Sequence, residues 1–410
     1  MGAAEVDPGT PLRRAVRERV SPEQALQFYR TKSIHELGQM AFDVCTRLHP
    51  ESYRTYVVDR NINYSNICTS FCTFCNFKAP PGDPRGYVLT LEQLGAKIQE
   101  LADIGGTQIL MQGGIVPLEV LPLQWYLDLL RFIKSHWPQI HIHAFSPPEI
   151  WSLHRKTRMP LRDLLLTLQE AGLATIPGGG AEILVDRVRQ KISPNKCMTD
   201  QWLDVMRAAH GVGMRTTATM MFGHMETIPE RIEHFDRIRQ LQDQTGGFTA
   251  FILWPFQPDN TPLGRVARIR EGKRTGPRDV RGEPECLPDS EAEPCSTTGC
   301  ERGLTPAPTE PDGQHLCLAG AHEYLKMLAL ARVYLDNVPN LQASWVTMGP
   351  KIGQLALFFG ANDMGSVMME ENVVRSAGVT YRLDEALIRR LIADAGWQPK
   401  KRDCYYTVLE

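Results

Sequence analysis

From about Arg54 onward the chain alternates short apolar runs with amphipathic segments of ten to fifteen residues. TYVVDRNINY (55–64) is a strand candidate, and TLEQLGAKIQELADIGG (90–106) reads as a helix closed by Gly105-Gly106. TQILMQGG follows as a strand, then LQWYLDLLRFIKSHW as a helix stopped by Pro138. IHIHAFSPPEI, LATIPGGGAEI, RTTATMMFGHMET and GFTAFILWPFQP continue the strands, each behind a helical stretch. LQASWVTMGP (341–350) and LFFGANDMG (357–365) supply strands seven and eight. Such alternation means parallel βαβ units, and eight of them make a closed (β/α)8 TIM-type barrel more economical than an open sheet. Polar residues cluster just after the strands: Cys68 to Cys75, Gln112, Ser146, Glu182, His224, Glu226, Asn260 and Asp363. In a barrel those strand ends share one face, where active sites are built.

Residues 1–50 read as an N-terminal helical extension, 51–397 as the barrel and 398–410 as a C-terminal tail. The rhythm breaks once, at 271–315, where seven Pro, six Gly and no aromatic residue occur. Such a stretch buries too little apolar surface to offset its ordering entropy, so a disordered insertion is expected. Lys plus Arg total 45 against 47 Asp plus Glu, leaving no global cationic field for nucleic acid. No apolar run approaches membrane-spanning length and the N-terminus has no secretory core, so a cytoplasmic protein is expected. The sequence does not fix the oligomeric state.

In a reducing compartment the ten cysteines are not a disulfide framework, and a tight cluster among them points to metal. ICTSFCTFCNF sets Cys68, Cys72 and Cys75 in a C-x3-C-x2-C pattern directly after the first strand. A structural zinc site and an electron-transfer cubane each want four protein ligands. Three thiolates on a [4Fe–4S] core leave one iron open. Zinc completed by a distant Cys or His, and three incidental cysteines, are the competing readings. A scaffold that keeps a fully ligated metal and only binds a partner is the corresponding non-enzymatic function.

Three further patterns accompany the triplet. Gln112-Gly113-Gly114 ends the second strand, where glycines let a ligand approach the backbone. IPGGGAEI brings three glycines and then Glu182, and AFSPPEI places Ser146 and Glu149 after the third strand. Each has a plain alternative, a turn or a helix cap. FGHMET sets His224 and Glu226 two residues apart after the fifth strand, as an acid–base candidate. The chain lacks the G-x-G-x-x-G fingerprint, the G-x-S-x-G elbow and the H-E-x-x-H helix of other enzyme classes.

The triplet, at this place in a βα array, resembles the radical S-adenosylmethionine (SAM) superfamily. The segments NINYSNICTSFCTFCNF, IPGGGAEILVDRVRQKISPNK, DQTGGFTAFILWPFQPDNTPLG and ASWVTMGPKIGQLALFFGANDMGSVMMEENVVRSAG are similar to its menaquinone-biosynthetic, futalosine-pathway branch, most of all to the cyclases acting on dehypoxanthine futalosine. Aminofutalosine synthases and the deazaflavin-forming FO synthase subunits share the barrel and triplet. The resemblance implies Cys68, Cys72 and Cys75 as ligands of one [4Fe–4S] cluster whose open iron takes SAM. It implies Phe74, Gln112, Gly113, Gly114, Ser146 and Glu182 as the SAM shell. A 5′-deoxyadenosyl radical would take hydrogen from ribose C4′, and the carbon radical would add to the benzoate ring. Glu226 would accept the ring proton with His224 orienting it, and a low-potential flavodoxin or ferredoxin would supply electrons. Two departures stand out. Ile115 occupies the position where the glycine turn usually carries an acid, and the insertion region adds Cys286, Cys295, Cys300 and Cys317. Those four are surplus thiols or an auxiliary metal site.

Overall fold

The strand residues face two different environments, and their side chains sort accordingly. In the run Tyr53 to Asn63, Asp59, Asn61 and Asn63 fall on one side and Ile62 on the other. The same split recurs on the later strands: Ile109 and Met111, Ile142 and Ala144, Ala218 and Met220, Phe251 and Leu253 are all fully buried. These apolar faces pack outward against helices, each buried side chain contributing about 1.5–3 kcal/mol.

A computed structural model describes residues 19–265 and 316–409. Among the described residues ten parallel strands form one sheet: β1 (Tyr53–Val57), β2 (Asp59–Asn63), β3 (Gln108–Gln112), β4 (His141–Ala144), β5 (Thr175–Ile176), β6 (Arg215–Phe222), β7 (Phe248–Pro255), β8 (Asn340–Gln342), β9 (Asp363–Ser366) and β10 (Gln398–Lys401). β2 pairs with β3, while β1 pairs with β9 and β10. Only Val58 separates β1 from β2, so one bent strand joins both ends of the array. Counted as one, it completes eight positions around a ring: the (β/α)8 barrel.

The helices start and stop where the side chains dictate. Thr90 and Gln93 form a capping box for Leu91–Asp103, which buries Leu94, Ile98 and Leu101 at helical spacing. Gly105, at φ +73°, turns the chain back. Helices Pro22–Thr31 and Ile34–Leu48 open on the boxes Ser21/Gln24 and Ser33/Glu36. They lie over helix Ala321–Tyr334, which is therefore covered on every side from Met327 through Tyr334.

Two expectations shift. Of LQASWVTMGP only the first two residues continue β8; Trp345–Met348 is a helical turn whose indole bonds the Ser366 carbonyl at 3.0 Å. The described part of the expected tail, 398–409, does not hang beyond the barrel. β10 adds to β1, and Arg402 then turns inward to grip Asp363 through Nε and Nη2 at 2.6 and 2.9 Å. Cys404 and Tyr406 follow it into the barrel floor. The insertion expected at 271–315 lies outside the described residues together with Cys286, Cys295 and Cys300; Cys317 is described and half-buried. Among the described residues no helix is long and apolar enough to cross a membrane.

Candidate active site

The loop after β2 is held by its own backbone. Cys68 N–H donates to the Ala79 carbonyl at 2.9 Å, and Lys78 Nζ caps the carbonyls of Cys72 and Cys75 at 2.7 and 2.6 Å. Phe71, at φ +52°, makes the sharp turn between the first two cysteines. Cys72 is buried while Cys68 and Cys75 are half-buried. Cys68 Sγ accepts from Ile115 N–H at 3.3 Å and Ser70 N–H at 3.4 Å. Ile115, which replaces the usual acid, thus contributes its backbone donor to a sulfur.

The two glycine turns meet here. Gly179 lies so close to Gln112 that a methyl group on it would fall 2.6 Å from Nε2; at Gly113 the same atom would fall 2.3 Å from the Tyr64 ring, and at Gly114 2.0 Å from the Ile67 carbonyl. At Gly114, where the clash is with backbone, any side chain would push the turn away from the cysteine loop. Glu149 locks the arrangement: it is buried and accepts from Gly113 N–H (3.0 Å), Tyr64 OH (2.6 Å), Ser146 N–H (2.8 Å) and Ser146 Oγ (2.5 Å). Burial still raises its carboxyl above the ordinary value. Ser146 therefore commits its hydroxyl proton to a helix-start box and offers a ligand only lone pairs.

Glu182 follows the second turn at φ +43°, a left-handed conformation rare for a residue with a Cβ. Its carboxylate meets Lys196 Nζ at 2.7 Å, and that ammonium also sits 5.2 Å from the centre of the Phe74 ring. Burial works against the Glu182 charge, yet Lys196 and the more distant Arg189 hold its carboxyl below the usual range. Lys196 is a site residue the sequence reading missed; it stands fourteen residues downstream of its partner, and only the fold brings it back.

These groups line one cavity of about 190 Å³: Cys68, Cys72, Cys75, Phe74, Gln112, Gly113, Gly114, Ser146 and Glu182, with Lys196. Below it, inside the ring, a second cavity of about 270 Å³ is walled by β2, β3, β6, β7 and the floor residues Arg402, Cys404 and Tyr406. Gln112, Gly179, Gly180, Glu182, Trp254 and Val373 belong to both walls. Instead of packed aliphatic layers, the barrel interior carries Asp59, Asn61, Gln108, His143, Thr217 and Thr219.

His224 and Glu226, expected at this face, are sealed away from it. Both have no exposed surface and neither lines either cavity. Glu226 accepts from Gly223 N–H (2.6 Å), His224 N–H (3.0 Å) and Arg231 Nε (2.7 Å). Burial opposes its charge, but His224 and Arg231 hold the carboxyl far below the usual range. His224 Nε2 lies 3.0 Å from the Met221 carbonyl, and its Nδ1 is 3.0 Å from Glu226. The pair ties the turn after β6 to the next helix.

The thiol cavity suits a cluster with a ligand beside it. Burial pushes the Cys72 thiol up to about 12, so a thiolate there needs a positive centre to share its charge. Among the described residues no three His, Cys, Asp or Glu side chains converge on a single-ion site; the three thiols rim a wider space. Backbone N–H groups aimed at Cys68 Sγ are the kind that tune iron–sulfur centres.

Comparison with known proteins agrees. Residues 62–238 match the radical SAM superfamily, and 315–410 match the CofH/MqnC C-terminal region. The chain is 41% identical to a cyclic dehypoxanthine futalosine synthase of Halalkalibacterium halodurans, over 97% of this chain and 94% of that one. A protein of the same name from Streptomyces coelicolor is 37% identical, over 97% and 87%. A 5-amino-6-(D-ribitylamino)uracil–L-tyrosine 4-hydroxyphenyl transferase of Methanosarcina acetivorans is 36% identical, over 97% and 93%. Methylornithine synthase shares the fold at a TM-score of 0.63 and 16% identity, covering 93% of this chain and 94% of that one.

Proposed function

Because the chain belongs to the radical SAM superfamily, in the futalosine-pathway branch that holds the cyclic dehypoxanthine futalosine synthases, we propose that it converts dehypoxanthine futalosine to its cyclic form during menaquinone biosynthesis. The observation that carries this reading is the shared wall between the two cavities. A group bound against Gln112, Gly179, Gly180 and Glu182 from the thiol side abuts one bound from the barrel side. That contact is what hydrogen abstraction between two ligands needs.

The cluster and SAM, when bound, would supply the radical chemistry that removes hydrogen from ribose C4′ and lets C4′ bond to the benzoate ring, the reduced cluster giving one electron to SAM and the cyclised radical returning one to the oxidised cluster as its ring proton passes to water. Cys68, Cys72 and Cys75 are the three iron ligands. Phe74 offers an aromatic face, the Gly113-Gly114 turn permits close approach, and Gln112, Ser146 and Glu182 offer polar atoms to SAM, Glu182 kept charged by Lys196. The interior cavity, enclosed by the ring and floored by Arg402, holds the nucleoside away from water. A flavodoxin or ferredoxin of low potential serves as reductant.

The test is anaerobic turnover of the reconstituted protein with SAM, dithionite and dehypoxanthine futalosine, read by mass spectrometry. A product two hydrogens lighter, matched by 5′-deoxyadenosine, is expected. The Methanosarcina relative's 36% identity favours a second reading, transfer of a 4-hydroxyphenyl group from tyrosine to 5-amino-6-(D-ribitylamino)uracil. Turnover of that pair with the nucleoside untouched would replace the first reading by the second.

A further inference from the structure

The wall that β2 and β3 present to the interior cavity is rich in hydrogen-bond acceptors and poor in donors. Asp59 and Gln108 stand opposite each other across the two strands, and Asn61 lies one inward-facing position above Asp59. Gln108 Nε2 donates to Asp59 Oδ2 at 3.1 Å, and Ser366 Oγ donates to the other Asp59 oxygen. Asn61 Nδ2 donates to Glu371 Oε2 at 2.7 Å, while Val373 and Val374 N–H satisfy Oε1, both at 2.8 Å. Both carboxylates are thus supplied, each amide giving them one of its two N–H donors. Unpartnered among the described residues are the amide carbonyl oxygens, Asn61 Oδ1 and Gln108 Oε1, both buried. Both residues are only 5% exposed and both line the cavity. Arg402, the one Lys or Arg among the described lining residues, is already engaged in both directions by Asp363.

A buried acceptor left without a donor costs about 1–3 kcal/mol, so two of them on one cavity wall mark a place where a ligand supplies the protons. The ligand must bring two neutral donors. A carboxylate would be repelled by Asp59 and Glu371, and an aromatic face would leave both carbonyls unpaired. Asn61 and Gln108 are diagonal neighbours on adjacent parallel strands, two residues apart in register. Two adjacent hydroxyls of one sugar, each donating outward to one carbonyl, can bridge such a pair.

We propose that Asn61 and Gln108 accept hydrogen bonds from the vicinal ribose hydroxyls of the substrate and so fix the sugar on the β2–β3 wall. This rests on the nucleoside reading above. It sets the ribose directly below Gln112, the residue that ends β3 and is shared with the thiol cavity, and leaves the carboxylate end of the substrate to the opposite side, near Thr217 and Thr219. Asn61 and Gln108 are positioning and specificity residues; they take no part in bond making.

The test is equilibrium binding to the cluster-loaded enzyme, anaerobic and without reductant, of dehypoxanthine futalosine and of analogues lacking one ribose hydroxyl. Wild type should bind each deoxy analogue about 10- to 100-fold more weakly than the parent. Asn61→Leu and Gln108→Met should bind the parent as weakly as wild type binds an analogue, and each should lose discrimination at one hydroxyl. A purely structural role would weaken parent and analogue alike and keep their ratio; that result overturns the proposal. Equal binding of parent and deoxy analogues by wild type also overturns it, and decides the matter even if a variant fails to load its cluster. Wild type that shows the discrimination without turning over the parent sinks the proposed function and leaves this inference standing. Wild type that does not bind the parent sinks both.

Discussion

Two buried carboxylate–cation pairs follow consecutive strands, and only one of them meets a ligand cavity. Glu182 with Lys196 follows β5, and Glu226 with Arg231 follows β6. Each acid comes just after a glycine in the left-handed region, Gly180 at φ +76° and Gly223 at φ +85°. In sequence the two look alike. In space Glu226 is used up by two backbone donors and Arg231, and Arg231 goes on to grip Glu323 and to lie 4.9 Å from the centre of the Phe222 ring. Glu182 meets Lys196 through one oxygen and keeps lone pairs for the two cavities it borders. A saturated carboxylate braces a turn, and an undersupplied one on a cavity is available to a ligand.

The comparison can be broken at several points. The largest effect lies at the cavity that only the first pair touches: Cys72→Ala should abolish the iron–sulfur absorbance and reduce SAM cleavage at least about 1000-fold, since one ligand of three is gone. Retained cleavage would mean that the triplet does not hold the cluster. Glu226→Gln should next cost roughly 3–5 kcal/mol, seen as a lower denaturation midpoint, because it breaks a buried pair. Turnover per loaded cluster should stay within about twofold, and a large loss there would return Glu226 to the chemistry.

Asp59 sharpens the contrast as a buried acid facing a cavity with no cation in contact. Burial raises its pKa to about 6 from 3.8, against the pull of Ser366 and Gln108. The folded value lies above the unfolded one, so its stabilising contribution is complete below about pH 4 and is lost as pH rises through 6. Relative to Asp59→Asn, wild type should lose about 3 kcal/mol of stability across that window, measured by denaturant titration at each pH. A flat difference would place Asp59 among well-compensated acids like Glu226. The smallest effect expected is that of Glu182→Gln, about 10-fold weaker SAM binding with a smaller loss of stability than Glu226→Gln, checked by equilibrium dialysis. Unchanged binding would remove Glu182 from the SAM shell.

The residues that announced themselves were those whose chemistry is local. The C-x3-C-x2-C loop, the QGG turn and the GGGAE turn each lie within one stretch of chain, and all three converge on the strand ends. Ser146-x-x-Glu149 carried both readings, and its capping half is plainly visible in the bonds. What the sequence concealed depends on return paths: Lys196 coming back to Glu182, Arg402 to Asp363, and the helical turn at Trp345 interrupting what looked like a strand. The polar barrel interior was present as a period of two, in Asp59, Asn61 and Asn63. A strand buried on both faces is expected to read as continuously apolar, so that signal was passed over. Glu226 misled for the opposite reason, because a polar residue after a strand says nothing about how many donors already surround it.

The bend at Val58 has a consequence in time. β1 finds its partners on β9 and β10, and Thr55 meets Asp363 across 308 positions of sequence. Contacts that distant form late, once the intervening chain has been made and folded. The cysteine loop is translated early and is tethered to β2, which has β3 close at hand. There is thus an interval during synthesis when the three thiols are already arranged on a sheet that is still open at its edge. Delivery of an inorganic core fits that interval, before the last strands shut the ring.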